Sequence, residues 1–217
     1  MLKYCLLSLG FICAYQSSHN ETHSSLTLWS AAILQADYSE AKSYLKFTPE
    51  DSLFLALTYI TEFEDLGDTL LLDKANTILV RYIEGSPDSN QTSFLYGLAK
   101  FQHGALKGLL GETLSGLFSL RSGAKNLEAL QDDDAKALYE IYNFHSAKLT
   151  AWFGMGSSEQ SSNIIANAYT KSPYLAGILS NALFWIYFEE KKYTAMFKMA
   201  DSLHQQFPEN RIFKQNY

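Results

Sequence analysis

From Leu26 to Leu203 the apolar residues of this chain return every three or four positions, a rhythm that confines the fold to packed helices. Leu26, Trp29, Ile33 and Ala36 make the first such face, and a DYS turn at 37–39 leads into a brief second helix. Pro49 opens PEDSLFLALTYITEFED, which sets Leu53, Ala56, Leu57 and Ile60 on one side. Beyond LGD, the segment TLLLDKANTILVRYIEG carries Leu71, Ala75, Ile78, Leu79 and Tyr82 as a stripe. Gly85 ends that helix and Pro87 prevents its resumption. Sustained alternation between hairpin turns is missing, so no strand is expected. The spacing predicts an all-α chain of about ten antiparallel helices, near 26–36, 39–46, 50–65, 68–84, 91–109, 112–130, 134–152, 158–170, 173–189 and 193–206.

Six of the 12 glycines fall in FLYGLAKFQHGALKGLLGETLSGLFSLRSG, residues 94–123. A phosphate-binding loop needs a strand and then G-x-x-x-x-G-K-[ST]. Gly111 and Gly116 have that spacing, but Leu117 and Phe118 stand where Lys and Ser or Thr must be. Gly97, Gly104, Gly108 and Gly111 instead recur at helical steps along one side. Each helical glycine is about 1 kcal/mol less favourable than alanine, so a row of them points to a backbone approaching closely. A facing helix is the simplest such neighbour, with Gly111 also eligible as the break between the two helices.

Helix pairs raise the question of an internal repeat. Ala75 precedes Pro87 by twelve residues and Ala195 precedes Pro208 by thirteen, with apolar residues between them at helical spacing. The stretches DYSEAKSYL, GDTLLLDKA and KKYTAMFKMA share a turn followed by a small residue. LYG, a glycine-rich helix, WFG, SPYLAGILSNALFWIYFEEKKYTA and FPENRIF complete the order. Over residues 26–217 the chain resembles degenerate tetratricopeptide-repeat proteins, a group found in bacteria such as the Bacteroidetes and Fibrobacteres and usually exported. The resemblance, to a group of unknown function, implies an α–α superhelix, a TPR-like solenoid; binding of a protein or peptide along one face is the expectation that such a shape raises. The resemblance implies no catalytic residue and no cofactor.

Both cysteines, Cys5 and Cys13, lie in MLKYCLLSLGFICA, where one cation, an apolar run and the small Ala14 follow in order. Residues 1–14 read as a secretory signal peptide, residues 15–25 as a polar leader, and 26–217 as the helical domain. The expected address is periplasmic or envelope-associated, or cytoplasmic if residues 1–14 are retained as the start of the first helix. No later stretch is apolar for long enough to span a membrane. Formal net charge is −6 with no long Lys/Arg run, which argues against nucleic acid as a partner.

Other candidate chemistry is thin. Ser122-Gly123-Ala124-Lys125 matches S-x-x-K without the companion motifs of the penicillin-recognising enzymes. His19 and His23 sit four apart in the polar leader, and His103, His145 and His204 are scattered, so no metal site is expected. Asp132, Asp133 and Asp134 read as a helix N-terminus. The expected function is therefore non-enzymatic binding through the first helices of successive pairs. The candidates are Tyr96, Lys100 and His103 on one helix, Tyr142 and Asn143 on the next, and Phe184 and Tyr187 on the last long one. Aromatics supply contact area at low entropic cost, and the Lys100, His103 and Lys107 side of the helix suits a carboxylate. A small-ligand receptor or accessory enzyme with a pocket between the long middle helices is the alternative.

Overall fold

Helix boundaries follow the capping chemistry written in the sequence. The Thr48 hydroxyl accepts from the Asp51 amide while the Asp51 carboxylate accepts from the Thr48 amide, and Pro49 occupies the first turn. Asp132 Oδ1 accepts from the amides of Asp134 and Ala135, the role expected of the acidic run. The computed structural model describes residues 20–46, 48–87, 93–150, 159–171 and 176–216. These form eleven helices and no strand: α1 (Asn20–Leu34), α2 (Tyr38–Ser43), α3 (Pro49–Leu66), α4 (Leu70–Gly85), α5 (Phe94–Leu109), α6 (Thr113–Glu128), α7 (Asp133–Thr150), α8 (Glu159–Lys171), α9 (Ala176–Glu189), α10 (Tyr193–Gln206) and α11 (Arg211–Asn216).

All ten predicted helices are present, with two differences. The first begins at Asn20, inside the segment read as a leader, because polar residues at a helix end carry no apolar period. The short α11 was not expected, since one and a half turns are too few to show one. The signal-peptide reading of residues 1–14 and the WFG motif lie outside the described residues.

Three of the connections are copies of one backbone motif. In the turns after α1, α5 and α9, the left-handed residues are Ala36, Gly111 and Lys191, with φ of 59°, 89° and 59°. The next amide in each donates five residues back: Asp37 to the Ala32 carbonyl at 2.9 Å, Glu112 to Lys107 at 2.8 Å, and Lys192 to Tyr187 at 2.8 Å. These are Schellman turns, each ending a helix and sending the chain back along it. The turn after α3 uses Gly67, φ 75°, with a simpler bond to the Phe63 carbonyl. By sequence DYSEAKSYL, GDTLLLDKA and KKYTAMFKMA share a turn; by backbone the LGE turn joins the first and last of these, and the turn at Gly67 stands apart.

The glycines pack α5 against α6 at backbone contact. A Cβ on Gly104 would lie 2.3 Å from the Leu120 amide nitrogen and 2.7 Å from the Gly116 carbonyl oxygen. One on Gly116 would meet the Gly104 carbonyl at 2.8 Å, and one on Gly123 the Phe101 nitrogen at 2.4 Å. Gly104 faces Gly116 while Gly97 nears Gly123 and Leu127, so the helices run antiparallel. Gly111 belongs to the turn and not to the packed row.

Each helix packs on the next in sequence, and first helices of neighbouring pairs also touch, α3 with α5 and α7 with α9. One hydrophobic core runs from Leu26 to Phe213, with a smaller cluster of Phe184, Met196 and Ala200 beside it. The last helix returns to the start of the chain. Fully buried Asn210 donates from Nδ2 to the Leu34 carbonyl at 3.0 Å, and its Oδ1 accepts from the amides of Ile212 and Phe213. Arg211 Nε lies 4.0 Å from Asp65 Oδ1, and α11 packs on α3.

Candidate functional site

Tyr96, Lys100 and His103 share α5 but not a common exposure. The Tyr96 ring is buried, and Lys100 Nζ sits 5.2 Å from its centroid, a cation–π contact one turn apart. His103 is half-buried, with Nε2 sealed from solvent and unpartnered. Burial lowers its pKa, the Lys107 charge lowers it further and Glu112 opposes them, so the ring is neutral at pH 7. Lys107 is itself 3.7 Å from the Glu112 carboxylate. Of the three cations expected to meet a carboxylate on this helix, Lys100 therefore has its charge uncommitted to a carboxylate among the described residues.

On α7, Tyr142 and Asn143 are half-buried. The Tyr142 ring lies 6.5 Å from that of Tyr139, which sequence reading passed over although it stands three residues earlier on the same face. The Tyr139 phenol donates to Glu128 Oε1 at 2.8 Å, and Asn143 is in hydrogen-bonding range of it. Burial, with the nearby Glu128 carboxylate, raises the phenol pKa.

The α9 candidates divide. Phe184 is buried against Met196 and Ala200, so it is core and not wall. Tyr187 is half-buried and packs against both clusters. Because α7 touches α9, Tyr142 and Asn143 share a layer with Tyr187. Half-exposed Lys100, Tyr142, Asn143 and Tyr187 can offer side chains to a partner, whereas Tyr96 and Phe184 cannot without moving.

No protein-family model, curated protein or solved structure matches this chain. Function has to be read from the surface and interior themselves.

The interior holds several polar groups. Gln102 on α5 is fully buried with neither amide atom partnered, and both ring nitrogens of His145 on α7 are likewise sealed and unpartnered. Burial pulls the His145 pKa down to about 4. Between α7, α8 and α10 the Ser161 hydroxyl donates to Glu140 Oε2 at 2.7 Å, and Lys192 Nζ reaches Ser162 at 3.4 Å and Glu190 at 2.8 Å. The Ser161–Glu140 and Lys192–Ser162 contacts tie α8 to α7 and to the start of α10. Among the described residues no three His, Cys, Asp or Glu side chains gather as metal ligands would.

Proposed function

We propose that this protein is a non-enzymatic scaffold of the TPR-like type, which binds a protein or peptide on the layer formed by its first helices. The observation that carries the reading is the direct contact of α3 with α5 and of α7 with α9. Stacked first helices form the inner wall of a helical-hairpin array, and extended partners lie on such walls. Buried Ala75 and the thrice-repeated Schellman turn support the hairpin repeat, whereas Ala195, the counterpart of Ala75 in the sequence, is only partly buried. The packing of α11 on α3 brings the last helix against an early one. Lys100, Tyr142, Asn143 and Tyr187 are the contact residues, and a carboxylate-bearing segment suits Lys100. The alternative of a pocket between the long middle helices is disfavoured for α5 and α6, whose backbones touch.

A photocrosslinking amino acid at Tyr142, introduced into the native chain and activated in an envelope fraction, tests this. The captured adduct should contain one dominant partner, and Lys100→Ala with Tyr187→Ala should remove it. Tyr187→Ala also lowers the melting temperature because its ring packs on both clusters, so Lys100→Ala alone, at an unchanged melting temperature, separates binding from packing. Truncating one such anchor weakens binding by about 1–2 kcal/mol. Capture that survives both substitutions overturns the reading. The intact mass of the adduct also reports whether the mature chain begins near Tyr15, as export requires.

A further inference from the structure

We draw no further inference here: the strongest candidate, the exposed apolar side chains of Leu66, Leu70, Leu114, Phe118, Phe188 and Tyr193 beside the turns that join α3 to α4, α5 to α6 and α9 to α10, carries none, because nothing in the structure shows what covers them.

Discussion

A histidine that cannot be solvated in the folded state makes stability depend on pH. His145 has both ring nitrogens closed off without partners, stacks edge-on against Phe144 at 5.4 Å, and has a pKa of about 4 against an ordinary 6.5. In the unfolded chain it takes up a proton below about pH 6.5, whereas in the folded protein it resists protonation until about pH 4. Across that window the unfolded state binds more protons, so stability falls as pH falls. The full stabilisation is present above pH 6.5, and the loss by pH 4 is on the order of 3 kcal/mol. His103 shifts in the same direction and adds to the slope. Urea denaturation from pH 7 to pH 4 should therefore show falling stability for the parent and a flatter profile for His145→Leu. Equal slopes for both would remove His145 from this role. The sequence offered His145 only as an isolated histidine, because nothing local distinguishes a buried ring from an exposed one on a helix whose apolar residues surround it.

At the scale of the helix, the α5–α6 pair shows where backbone geometry replaces side-chain packing. A methyl group at Gly104 has no space, because its neighbours are the Leu120 amide and the Gly116 carbonyl, and backbone cannot swing aside as a side chain does. Gly104→Ala should force the pair apart and destabilise the protein by about 2–3 kcal/mol. Gly85→Ala meets nothing within 4 Å at the end of α4 and should stabilise by about 0.5 kcal/mol through helix propensity. Thermal unfolding of the two variants reads the contrast, and equal melting temperatures would refute close backbone contact as the reason for the glycine row. That row was legible because Gly97, Gly104 and Gly108 keep helical spacing within one helix. The repeated Schellman turn was not, because its left-handed position is filled by alanine, glycine and lysine, and a backbone motif leaves no single residue signature. The α9 face was equally hidden. ILSNALFWIYFE is apolar almost all round, so periodicity could not distinguish buried Phe184 from exposed Phe188. Tyr96 reads as wall because tyrosine is polar at one atom, whereas its side chain is buried, with the Lys100 ammonium over its ring.

Over the whole molecule, the decisive contact spans 176 positions of sequence, from Asn210 to the Leu34 carbonyl. Asn210 satisfies one part-buried backbone acceptor on α1 and two buried backbone donors on α11. Asn210→Ala leaves those groups unpaired and should destabilise by about 2–3 kcal/mol. It should also change the manner of unfolding. An open helical array unfolds as a chain of neighbour-coupled units, whereas tied ends make the pairs depend on one another. Hydrogen exchange should show α1–α3 and α9–α11 opening together in the parent and separately in Asn210→Ala. Separate opening in the parent would refute the coupling. The same clasp bears on how such a protein can change over evolutionary time. Open arrays lengthen or shorten by duplicating or deleting a hairpin, because each unit meets only its neighbours. Here an added hairpin would carry Asn210 away from Leu34, so gene duplication within the domain is penalised and variation is channelled into residues that leave the number of hairpins unchanged.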